Sequence, residues 1–182
     1  MKTATATATA TWNIDSVHSS AQFKVKHLMI SNVKGEFAGI TGSLELGENI
    51  TESKIEATID AATINTRDEK RDAHLRSADF FDTEKFPTLS FKSGRVSRKA
   101  DGELVVTGDL TIHGLTKPVT FAVEGPSAPT KDPWGGTRIG LTATTKIDRR
   151  EFGLIWNSPL EGGGLVIGEE VHITLEVEFI RA

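Results

Sequence analysis

At 182 residues, with 25% charged and 37% apolar side chains, the chain fits one domain or at most two small ones and can bury a substantial core. Its net charge of −4 comes from interspersed acids and bases. That leaves no basic stripe for nucleic acid, and no apolar run nears the roughly 18 residues that cross a bilayer. Cysteine is absent, which excludes disulfides, thiolate metal sites and cysteine nucleophiles.

Met1-Lys2 is followed by a Thr-Ala repeat. Threonine interrupts the continuous apolar core of about 7–15 residues that a secretory signal needs. Met1–Thr11 therefore reads as a flexible tail before a single domain over residues 12–182, and the protein as cytoplasmic, or periplasmic or secreted if a leader was removed. Beyond the tail the dominant signal is alternation with period two, the pattern of a half-buried strand. It holds for Ala21, Phe23 and Val25, then for Ile55, Ala57, Ile59 and Ala61. It returns in Val119, Phe121 and Val123, in Ile139, Leu141 and Ala143, and in the longest run, Val171 to Phe179. Weaker strands are predicted over Val33–Phe37, Ile40–Leu46, Leu89–Ser93 and Leu104–Ile112. Turns fall at Gly47-Glu48-Asn49, at Ala100-Asp101-Gly102, from His113-Gly114 through Lys117-Pro118, and at Gly162–Gly164. About eight strands joined mostly by short turns predict an all-β sandwich or antiparallel barrel, and an eight-stranded barrel holds either packed side chains or one ligand.

Asn65–Pro87 breaks the alternation. Thr66 and Glu69 have the spacing of a capping box, so a short helix is predicted near Glu69–Arg76. An aromatic loop with Phe80, Phe81 and Phe86 follows, and Pro87 ends it. A connection of this length in a compact barrel tends to be functional, and its natural place is across one mouth.

This segment, Arg71-Asp72-Ala73-His74-Leu75-Arg76-Ser77-Ala78-Asp79-Phe80-Phe81-Asp82 with Phe86-Pro87, resembles the signature of the YceI-like family. Four further stretches resemble the family's pattern in the same order: Trp12-Asn13-Ile14-Asp15 with Val17-His18-Ser19; Phe23 to Phe37 through Lys26-His27, Val33 and Gly35; Gly108 to Val119; and Ile147-Asp148-Arg149-Arg150-Glu151-Phe152-Gly153. Ile167-Gly168-Glu169-Glu170-Val171 resembles the opening of its last strand. The resemblance runs from about Trp12 to Phe179. The Thr-Ala tail and the loop from Pro126 to Gly136 depart from the pattern. The resemblance implies an elongated, lipocalin-like antiparallel barrel that takes a long-chain isoprenoid lipid inside, often as a homodimer, with no firmly attached reaction and no cofactor beyond the bound lipid.

Candidate residues follow from both readings. Phe23, Val25, Phe37, Ile59, Phe91, Val106, Leu110, Phe121, Leu141, Ile173 and Leu175 face inward. From alternation alone they fill a core as readily as they line a tunnel; the resemblance implies a tunnel. Arg71, His74, Arg76, Asp79, Phe80, Phe81, Arg149 and Trp156 are candidates for the mouth. There the arginines either meet a polar headgroup or pin the helix to the rim, with Arg149 entering the barrel end or holding Glu151. Trp156 is expected over the second mouth, beside Gly162–Gly164. A hydrolase reading would use His74 with Asp72 or Asp79 and Ser77, but no nucleophile sits on a strand-turn-helix elbow. The five scattered histidines show no metal-ligand spacing.

Overall fold

The computed structural model describes residues 9–182. Its strands are β1 (Ala10–Ile14), β2 (Ser20–His27), β3 (Ser31–Phe37), β4 (Thr41–Leu46), β5 (Lys54–Asp60), β6 (Thr88–Arg98), β7 (Leu104–Ile112), β8 (Leu115–Glu124), β9 (Thr130–Lys131), β10 (Thr137–Asp148) and β11 (Ile167–Arg181). The single α-helix among the described residues, α1, spans Glu69–Arg76, where the sequence predicts it.

The sheet is antiparallel and closes on itself, because β11 pairs with β10 along one edge and with β1 and β2 along the other. β1 takes the end of β11 at Phe179–Arg181 and β2 takes the earlier stretch. Together they act as one bent stave. β3 and β4 form a second bent stave, since β3 pairs with β2 and β4 pairs with both β1 and β5. Counted this way, eight staves close the ring, and closure leaves no long exposed edge.

The second stave parts from β5 at one end of the barrel. There Glu36 and Asn65 bridge the wall, exchanging backbone hydrogen bonds of 3.0 and 2.9 Å, and the Thr63 hydroxyl accepts from the Ala38 N–H at 3.1 Å and donates to its carbonyl at 3.0 Å. The polar segment from Asn65 onward fills this split, which places α1 across that mouth, as expected. The helix is capped by Asp68, whose carboxylate accepts from the Arg71 N–H at 2.9 Å. Thr66 is not the cap. Its hydroxyl donates to buried Asp72 at 2.5 Å, and Arg67 turns the chain through a positive φ of 64° before the helix starts.

Three strand boundaries differ from the sequence reading. β1 takes up Ala10 and Thr11, two residues of the predicted tail, by pairing them with Leu46 and Glu45; residues 1–8 of that tail lie outside the described residues. β6 continues to Arg98 through a register shift between Ser93 and Arg95, which flips the alternation and hides the continuation. The turn after β7 is only His113-Gly114, and Pro118 lies inside β8. That stretch of β8 pairs with β7 alone, so proline's missing N–H leaves no ladder bond unmade on the open side.

The closed end is packed by Trp12, Ile40, Leu44, Ile139, Val177 and Phe179. The helix end has a looser wall, with Ala21, Phe37, Leu110, Ile147 and Phe152 buried and Phe23, Ile59, Phe81 and Ile173 packed against them.

Candidate functional site

The helix end opens into a cavity of about 490 Å³. Alternation supplies its wall, because each strand sends every second residue inward. Nine of the predicted lining residues border it: Phe23, Val25, Phe37, Ile59, Phe91, Leu110, Phe121, Ile173 and Leu175. Val106 and Leu141 do not. They face a separate space of about 90 Å³ nearer the closed end. The sequence reading missed Ile40, Ala57, Leu75, Leu154, Val166 and Ile167 as wall residues. Most lie on loops or strand ends, where alternation carries no signal.

Two glycines shape the wall. Gly35 and Gly108 both face inward on their strands. A Cβ at Gly35 would come within 2.3 Å of the Phe23 ring, and one at Gly108 within 2.7 Å of the Phe91 ring. Each glycine therefore lets the outer end of an aromatic ring lie against bare backbone, a close approach that a Cβ would block.

The mouth is polar. Lys26, His27, Lys70, Arg71, His74 and Arg149 border the cavity there. Arg71 is partly committed to structure: Nε donates to Thr66 Oγ1 at 2.7 Å and Nη2 to the Thr66 carbonyl at 2.9 Å. Thr66 passes the connection on to Asp72. The ammonium groups of Lys26 and Lys70 enter no ion pair among the described residues. Neither lysine stood out in the sequence, because each sits among other charged or polar residues.

Arg149 enters the barrel end and is only 4% exposed. It does not hold Glu151. Its guanidinium donates to four carbonyls, those of Leu154 at 2.5 Å, Gly168 at 2.9 Å, Trp156 at 3.0 Å and Ile167 at 3.5 Å. Burial pulls its pKa below the ordinary arginine value. One cation thus ties the Leu154–Trp156 segment to the start of β11, which shapes the rim and leaves few donors for a ligand.

Arg76 and Asp79 do not border the cavity. Arg76 donates to the carbonyls of Ala62 and Ile64 at 2.9 and 3.1 Å, fastening α1 to the wall. Asp79 Oδ2 lies 2.7 Å from His74 Nε2 and orients that ring. Phe80 and Phe81, mouth candidates in the sequence, border the cavity. Trp156 overturns its expected position: its ring packs edge-on to His74 at 4.7 Å and against Phe80 at 5.5 Å. It therefore belongs to the helix mouth, not to the opposite one. The His74–Asp79 pair exists, but the Ser77 hydroxyl donates to the His74 carbonyl at 2.6 Å and Asp72 serves Thr66. Neither joins the imidazole in a nucleophile–base–orienter chain.

Comparison with known proteins fits this architecture. A UPF0312 protein of Vibrio vulnificus is 41% identical over 157 residues, covering 86% of this chain and 80% of the relative. A UPF0312 protein of Staphylococcus aureus is 39% identical over 170 residues, 92% of this chain and 96% of the relative. Among solved structures, the Campylobacter jejuni YceI protein superposes with a TM-score of 0.69 at 30% identity, covering 100% of this chain and 99% of its own. BcnA of Burkholderia cenocepacia shares the fold at a TM-score of 0.75 and 20% identity, over 91% of this chain and 98% of its own. So does a polyisoprenoid-binding domain from Saccharophagus degradans, at 0.68 and 15%, over 96% of this chain and all of its own. The YceI-like domain model matches residues 12–179, and the chain belongs to that family.

Proposed function

We propose that this protein binds, and carries or sequesters, an amphiphile with a long apolar tail of the isoprenoid type. The observation that carries the proposal is the cavity of about 490 Å³, walled by apolar side chains and opening beside Lys26, Lys70 and Arg71. A drug-sized ligand site has this volume and this division between an apolar interior and a few polar groups.

The energetics divide the labour. Each methylene moved from water to an apolar wall contributes about 0.8 kcal/mol, so a five-carbon isoprenoid unit contributes roughly 4 kcal/mol before ordering costs. A typical hydrogen bond contributes a net 0.5–1.5 kcal/mol. The tail sets affinity and the cations orient the head, with Lys26 and Lys70 available for a phosphate, pyrophosphate or quinone oxygen. The Saccharophagus domain of the same fold, named for polyisoprenoid binding, supports this choice of tail. Binding rather than catalysis is the reading, because Arg71 and Arg149 are engaged with Thr66 and with backbone carbonyls, His74 pairs with Asp79, and no nucleophile joins them.

Organic extraction of the purified protein followed by mass spectrometry tests the proposal, together with displacement of a fluorescent apolar probe by polyprenyl phosphates and quinones. Recovery of a lipid, or displacement at micromolar concentration, supports it. Folded protein that yields no lipid and binds none of these probes would show a barrel with a structural role instead.

A further inference from the structure

The barrel interior is divided. The 490 Å³ cavity at the mouth and the 90 Å³ space toward the closed end share five lining residues: Ile40, Ala57, Phe91, Phe121 and Leu175. These residues are the partition between the two. Its centre is an aromatic pair, with the rings of Phe91 and Phe121 edge-to-face at 77° and their centroids 5.1 Å apart. Such a pair holds together beyond its buried area. Phe91 is further held by its seat over Gly108. The far space is lined by Val106, Leu141, Leu44 and Val96 among other apolar side chains, with Ser53 and Lys54 the polar residues on its border, and so suits the end of a tail.

We propose that the Phe91–Phe121 pair sets the length of tail this protein selects. The inference rests on the proposed lipid-binding role and deepens it. At the roughly 30 Å³ a water molecule takes in the liquid, the mouth cavity holds about sixteen groups of that size. That corresponds to about three isoprenoid units. A longer tail reaches the far space only by parting the two rings, which gives up the pair and forces Phe91 from its seat. Added units beyond the third therefore contribute little to binding, although each carries the same apolar surface as the units before it.

The test is a ladder of polyprenyl monophosphates with two, three, four and eight units, measured by displacement of a fluorescent apolar probe on the full chain. In the native protein, affinity should rise from two to three units and then stay level or fall. Phe91→Ala and Phe121→Ala should each improve binding of the four-unit and eight-unit compounds by about tenfold or more, one step of 1.4 kcal/mol, while changing the two-unit compound by less than about threefold. Phe91→Leu and Phe121→Leu keep the core filled and should move the ladder the same way, which covers failure of either alanine variant to fold. If affinity in the native protein climbs steadily through eight units, and the leucine variants leave the ladder in parallel, the pair sets no limit although the lipid-binding reading stands. If the folded native protein binds no member of the ladder, both proposals fall.

Discussion

The two ends of this barrel use the same strands and the same alternation to opposite ends. At the closed end, Trp12, Ile40, Leu44, Ile139, Val177 and Phe179 pack into one buried cluster that leaves a space of only about 90 Å³ beside it. At the helix end the wall splits at Glu36–Asn65, a helix bridges the split, and the inward residues surround open space. The difference teaches that interior volume is set less by which residues face inward than by how the wall closes. Where all staves pair directly, the core is nearly filled. Where a polar segment is spliced into the wall, the circumference grows and side chains from opposite sides no longer meet.

If this comparison is right, truncations at the two ends differ in cost. Phe179 is fully buried in the closed end, and Phe179→Ala should lower stability by about 3–5 kcal/mol, the usual cost of emptying a filled core. Urea denaturation measures it. Arg149→Met should follow, at about 2–3 kcal/mol, because the buried carbonyl of Leu154 and the half-buried carbonyls of Trp156 and Gly168 lose their donor. Hydrogen exchange should rise selectively from Leu154 to Ile167, which localises the damage to the mouth.

Ile173→Ala in the wide half should cost only about 1 kcal/mol, below the range for filled sites, because the side chain already borders space. Its larger effect should be on tail affinity. A loss equal to that of Phe179→Ala would erase the distinction between the ends.

The smallest effect concerns the outside of the closed end. Arg138 donates to Asp15 and Glu178 at 2.5 Å and to Asp132 at 2.7 Å. Its guanidinium holds the carboxyls of Asp15 and Asp132 below the ordinary carboxylate range. The sign follows: a carboxyl whose pKa is lower folded than unfolded adds stability above the unfolded value, near 3.9, and loses it as pH falls toward the folded value. Arg138→Gln should therefore flatten the dependence of stability on pH below about pH 4, while tail binding at neutral pH stays unchanged. Acid titration of the melting temperature checks it.

Much of this was legible in the residues. Each strong alternating run became a strand with the anticipated face inward, and α1 occupies Glu69–Arg76. What failed, failed for local reasons. The spacing of Thr66 to Glu69 is that of a capping box, but the hydroxyl has a better partner in Asp72, six residues on. The far half of β6 was hidden by a register shift, and Ala10–Thr11 by the monotony of the Thr-Ala repeat. The sequence points Trp156 to the wrong end because a long loop gives no clue to which mouth it returns to; its contacts with His74 and Phe80 decide that.

The sequence by itself determined the sheet, the inward set and the helix across one mouth, because alternation with period two fixes which face of each strand is apolar. It could not determine whether Phe23, Phe121, Ile173 and Leu175 touch or stand apart. That distance depends on ring closure, on the spliced segment at Asn65, and on glycine seats that lay Phe23 and Phe91 against the wall. It also depends on where two rings meet. Phe91 and Phe121 come from β6 and β8, which flank β7 in the sheet, and their rings meet across that strand, beside the bare backbone of Gly108, in the contact that divides the interior.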